Sequence, residues 1–76
     1  MKDLLTYIAK NLVDNPEDVS VTEVEKENET VYELRVAESD MGKVIGRQGR
    51  IVKEIRTLMK SVAQRQNKRI SVEIID

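Results

Sequence analysis

Val44-Ile45-Gly46-Arg47-Gln48-Gly49-Arg50-Ile51 decides how this 76-residue chain is read. Two glycines stand either side of two polar residues, between an apolar pair and the start of an apolar helical run. Glycine takes positive φ at no steric cost and lets another molecule come close to the backbone. Two of them three apart therefore permit a tight turn with its N–H groups pointing outward. A helix beginning at the second glycine adds its own unpaired N–H groups and the positive end of its dipole at the same place. Arg47 and Arg50 supply full charges beside it, and Lys43 and Lys53 flank it. The pattern is that of a backbone cradle for phosphate.

Working outward, Ile51, Ile55, Leu58 and Val62 are spaced four, three and four apart, with Val52 and Met59 widening the stripe, which predicts a long amphipathic helix after the turn. Lys53, Arg56 and Lys60 fall on its opposite side. A solvated face and a nucleic-acid contact are both open for them, with Lys53 the nearest to the turn. On the other side of the turn, Ser39 or Asp40 is expected to cap a short helix running to about Ile45. Tyr32, Leu34 and Val36 alternate with Glu33 and Arg35, and Ile70, Val72 and Ile74 alternate with Arg69, Ser71 and Glu73, so both stretches read as strands. Val19 and Val21 begin another strand, but Val24 is out of phase and predicts a bulge or an end near Thr22. The polar stretch Glu25–Glu29 is expected to join the first two strands as a hairpin, with Asn28 in the left-handed region. Leu4, Leu5, Ile8, Ala9 and Leu12 predict an N-terminal helix closed by Asn15-Pro16.

The resulting order is α-β-β-α-α-β in one α+β domain spanning residues 1–76. Each strand has one regular apolar face, so three helices are expected on a single face of a three-stranded mixed sheet. The first two strands should be antiparallel. Two helices separate the second strand from the third, long enough for a crossover that makes that pair parallel.

Composition narrows the chemistry. There is no cysteine and no histidine, which removes disulfides, the usual zinc sites and every thiol or imidazole nucleophile or base. No cofactor, metal or small-molecule substrate is expected, and dispersed carboxylates without a paired acid and base beside the turn argue against an enzyme. No stretch approaches the roughly 18 apolar residues of a membrane span, so a cytoplasmic protein without a membrane partner is expected. Net charge is −1, but it is unevenly spread. Residues 1–39 hold four cations and ten carboxylates, a net of −6, whereas residues 40–60 hold six cations and two carboxylates, a net of +4. Positive charge is concentrated around the glycines, and the acidic first half opposes indiscriminate attachment to polyanions.

The twelve residues Val44 to Ile55 resemble the core signature of KH domains, apolar-Ile-Gly-x-x-Gly-x-x-Ile with a basic residue inside the loop. The element order is similar to the type II, or prokaryotic, form, and size and organisation resemble the small stand-alone bacterial KH proteins of the KhpA type. The resemblance implies binding of single-stranded RNA, with about four nucleotides clamped across the loop. By position, Gly46 and Gly49 would shape the loop, Arg47 and Gln48 would meet the sugar-phosphate chain, and Lys43, Arg50 and Lys53 would flank the strand. Met41, Val44, Ile45 and Ile51 are candidates for the apolar groove floor, some of them shared with the core. Tyr7 and Tyr32 are the only aromatic residues, so bases would be read by hydrogen bonds and apolar contact. The first hairpin, similar to the family's variable loop, carries Glu25, Glu27 and Glu29, which would repel phosphate and weaken one copy's grip. The resemblance also implies an RNA chaperone or post-transcriptional regulator. The alternative is an interaction subunit that forms a homodimer, or a heterodimer with a larger KH-containing partner, with RNA binding secondary. Walker and dinucleotide-binding loops do not fit, because the gaps between Gly42, Gly46 and Gly49 are four and three.

Overall fold

The computed structural model describes residues 1–75, with the side chains of Arg47 and Gln48 outside that description. The N-terminal helix α1 (Lys2–Leu12) buries Leu5 and Ala9 and packs Leu4, Ile8 and Leu12 at the margin of the core, as the apolar spacing requires. It stops at extended Val13, and Pro16 opens a single 3-10 turn, Pro16–Asp18, a position where the missing proline N–H is not needed. Strands β1 (Ser20–Glu25) and β2 (Thr30–Arg35) follow, then helix α2 (Glu38–Arg65) and strand β3 (Ile70–Ile75).

The sheet has the order β1-β2-β3, with β1 and β2 antiparallel and β2 and β3 parallel. Val21, Leu34 and Ile74 lie in register across the three strands, and Tyr32 pairs with Val72. These residues and Ile70 form the face that packs against Leu5, Ala9, Ile55, Met59 and Ala63 of the helices. Side chains alternate across a sheet, so Thr22, Glu33, Ser71 and Glu73 occupy the opposite face. The mixed α+β sheet expected from the sequence is thus present. Among the described residues no helix is long and apolar enough to cross a membrane.

Three local expectations are corrected. β1 carries no bulge: every residue from Ser20 to Glu25 has one partner, and Val24 faces away from the core, opposite Val31. An apolar pair directly across two strands stabilises the sheet from either side, so Val24 needs no change of phase. Asn28 is not left-handed, since the loop between β1 and β2 closes with the Lys26 N–H on the Glu29 carbonyl (2.8 Å), and a loop of that length is built on ordinary negative-φ turns. The left-handed asparagine is Asn67 (φ 55°), just past α2. There the N–H of Lys68 reaches the Ala63 carbonyl and that of Asn67 the Gln64 carbonyl, a paired closure that satisfies two carbonyls of the helix's last turn.

The third correction concerns the buried stripe of α2. It is centred on Val52, Ile55, Met59 and Ala63, so Val52 and Met59, expected to widen the Ile51, Ile55, Leu58 and Val62 row, lie in its middle. The two stripes share Ile55 and differ by a small rotation. Ile51 and Val62 are left half-buried and Leu58 is 46% exposed.

Candidate nucleic-acid interface

α2 begins at Glu38, with Ala37 as an N-cap that offers no side-chain hydrogen bond. Neither Ser39 nor Asp40 caps it. Asp40 is 1% exposed, and its carboxylate accepts hydrogen bonds from the backbone N–H of Asp14 (3.1 Å) and of Asn15 (3.0 Å) and from the Asn15 side-chain amide (3.2 Å). The Asn15 amide also donates to the Ser39 hydroxyl (3.1 Å). These bonds satisfy N–H groups that the chain would otherwise bury unpaired where it leaves α1. Burial pushes the Asp40 carboxyl upward, but the Asp14 and Asn15 hydrogen bonds and the Lys43 charge outweigh it and hold the group below its usual value of 3.8. Asp40 is a tether that fixes the first turns of α2 to the chain between α1 and β1.

Gly49 sits at φ 70°, the left-handed region that glycine enters without steric penalty. A right-handed helix cannot pass unchanged through such a residue, so α2 consists of a short limb, 38–48, and a long limb, 50–65. These are the two helices expected either side of the glycine turn. The tight loop expected at Gly46 is absent, because helical backbone continues through that residue and only Gly49 departs from it. A β-carbon added at Gly46 would meet no neighbouring group within 4 Å. Glycine inside a helix costs about 1 kcal/mol relative to alanine. The fold therefore does not require Gly46, and what its missing side chain provides is approach to the backbone from outside.

Two clefts flank this turn. One, of about 460 Å³, lies along the helix and is lined by Gly42, Lys43, Gly46, Arg50, Ile51 and Glu54. Its cations are engaged: Lys43 Nζ lies 3.1 Å from Asp14, and Arg50 Nε 3.6 Å from Glu54. The other, of about 320 Å³, opens toward the sheet and is lined by Ile45, Gly49, Val52, Lys53, Arg56 and Ile74. Among the described residues no carboxylate lines it, and Lys53 and Arg56 have no acidic partner. The Arg56 Nε donates to the Val72 carbonyl of β3 at 3.0 Å.

The sequence-derived site residues divide accordingly. Gly46, Gly49, Ile45, Lys43, Arg50 and Lys53 gather around the turn. Val44 is 1% exposed, so its side chain supports the turn from inside. The Arg47 and Gln48 side chains lie outside the described residues. Arg56, for which a solvated face and a nucleic-acid contact were both open, belongs to the sheet-side cleft. Gly49, Val52, Lys53 and Arg56 follow the i, i+3, i+4, i+7 spacing of one helix face, so counting from Gly49 was the signal that would have found it. Lys60 lies elsewhere, in a hollow with Glu29, Ala63 and Lys68. The Tyr32 phenol, raised above its usual value by burial and then by Glu23, is 5% exposed, and Tyr7 stands on α1 away from both clefts.

The acidic hairpin does not face the sheet-side cleft. It joins the sheet at Thr30, which pairs with Ile70, whereas the cleft reaches the sheet at Ile74. Four strand residues separate these points, about 13 Å, beyond the roughly 8 Å over which physiological salt screens exposed charge.

The sequence model of the KhpA/KhpB KH domain matches residues 2–74. The chain belongs to the KhpA/KhpB KH-domain family. It is 59% identical to "RNA-binding protein KhpA" of Clostridium acetobutylicum over 99% of this chain and the whole of that protein. Identity is 54% to the Chlamydia trachomatis protein of the same name, over the whole of this chain and 97% of that one. For the Borreliella burgdorferi protein, also named RNA-binding protein KhpA, it is 46% over 97% and 90%. These KH relatives are named for binding and not for a reaction. No solved structure matches the chain.

Proposed function

We propose that this protein binds single-stranded RNA, with a run of about four nucleotides crossing the Gly46–Gly49 turn and the bases directed into the sheet-side cleft. The observation that carries the reading is Gly46: a helical glycine with open space where its side chain would be, on the helix-side cleft and three residues before left-handed Gly49, which lines the sheet-side cleft with Lys53. Phosphate approaches the backbone there, Lys53 neutralises it, and Ile45, half exposed at 48%, offers an apolar surface to a base face. With few cations engaged, one copy binds weakly and with a shallow salt dependence. Such a grip suits an RNA chaperone or post-transcriptional regulator acting in the cytoplasm, where it meets transcripts without holding them permanently.

The test is ultraviolet crosslinking of bound RNA to the parent and to Gly46→Asp. A carboxylate at this site repels phosphate, while the open surroundings and helical backbone accommodate the side chain. Loss of crosslinking with unchanged circular dichroism is the expected result. A folded Gly46→Asp protein that crosslinks as well as the parent would refute the cradle.

A second reading is favoured by Leu58, exposed on the 51-55-58-62 row between half-buried Ile51 and Val62. That row suits pairing with another KH chain, either a second copy or a larger partner, and two linked clefts would raise affinity through effective concentration. Leu58→Glu should reduce the mass measured by light scattering if the row is an interface.

A further inference from the structure

Resting on the reading of the turn as an RNA cradle, we infer that Arg56 selects the base in the sheet-side cleft, favouring one whose edge presents two adjacent hydrogen-bond acceptors. A guanidinium has five N–H donors in a fixed planar fork. One of them, on Nε, is taken by the Val72 carbonyl at 3.0 Å, which holds the group against β3. The four donors on the two terminal nitrogens are not needed by that contact. Among the described residues no carboxylate lines the cleft to compete for them, and Lys53 in the same cleft is a point charge suited to phosphate rather than to a base edge.

The rest of the cleft fits one base better than a second strand or a peptide. Ile45, Val52 and Ile74 give it an apolar lining, Gly49 brings backbone to its margin, and about 320 Å³ lies at the lower end of small-ligand sites. A base resting on these groups meets the Arg56 fork edge-on. Guanine offers O6 and N7 together, and cytosine offers O2 and N3. Adenine and uracil alternate donor with acceptor, so one arm of the fork faces a donor and loses its partner.

The experiment uses fluorescence anisotropy with labelled RNAs of about eight uridines whose central residue is uridine, adenosine, cytidine or guanosine. The parent should bind the guanosine or the cytidine strand at least about fivefold more tightly than the other two, and comparison of those two strands identifies the base. Arg56→Lys retains the charge and lacks the fork, so the preference should disappear, its affinities for the four strands falling within about twofold of one another. A parent that binds all four strands equally, or a lysine variant that keeps the preference, would overturn the inference. Gly46→Asp in the same assay separates the two readings. If it binds undiminished, the cradle fails and the inference resting on it fails too; if it does not bind while Arg56→Lys keeps its preference, only the role of Arg56 fails.

Discussion

The two clefts beside the glycine turn are built from the same helix and contain similar numbers of cations, yet their electrostatics differ. Along the helix, Lys43 and Arg50 each meet a carboxylate, Asp14 and Glu54, so their charge is already partly answered. Toward the sheet, Lys53 has no such partner among the described residues, and the hydrogen bond of Arg56 goes to a neutral carbonyl. Counting positive charge near a motif is therefore a poor guide to where a polyanion settles. What matters is which cations remain unpaired, and that depends on helix spacing: Arg50 and Glu54 are one turn apart, whereas Lys53 and Arg56 turn toward an edge strand without acidic side chains in the cleft.

The comparison breaks most readily at Gly46. Gly46→Asp should lower RNA affinity by more than about tenfold, measured by anisotropy, because it places repulsion at the point of closest backbone approach. Lys53→Glu should follow, weakening binding about tenfold and reducing the slope of log affinity against log salt by roughly one phosphate contact; Arg50→Ala, on the already paired side, should change it by less than twofold. Glu54→Gln or Asp14→Asn sharpens the contrast in the opposite sense, releasing Arg50 or Lys43 and raising affinity about twofold. Either change should alter stability by no more than about 0.5 kcal/mol, as exposed ion pairs do. Gly46→Ala should stabilise the helix by up to about 1 kcal/mol in thermal denaturation.

Asp40 gives a prediction in pH. Its folded value lies below 3.8, so its contribution to stability is complete above 3.8 and is lost as pH falls from there through the depressed value. The thermal midpoint of the parent should fall more steeply over that acid range than that of Asp40→Asn, which has no carboxylate to protonate.

Element order and strand directions were legible in the sequence because each rests on local periodicity or on the length of a connection, whereas of the two-glycine turn only the break at Gly49 was. Asp40 was not, since a carboxylate at the start of a helix reads as a cap until its donors, 25 and 26 residues away, are known. Nor was the rotation of α2: 51-55-58-62 and 52-55-59-63 are both sound apolar stripes, and only the sheet decides which is buried. Arg56 stayed undecided between a solvated face and a nucleic-acid contact for the same reason. Viewed from the apolar stripe it belongs to a solvated face, and viewed from Gly49 it shares the face of the cleft.

The parallel pairing of β3 with β2 across the whole length of α2 ties ligand binding to folding. Ile74 and the Val72 anchor of Arg56 enter the sheet-side cleft only when β3 is docked, so any opening that detaches this strand also dismantles the site. A bound strand consequently draws on the docked population alone. RNA at 100 times its dissociation constant adds about 2.7 kcal/mol against such openings, and slower amide exchange along β3 would record occupancy of a cleft formed mainly by α2.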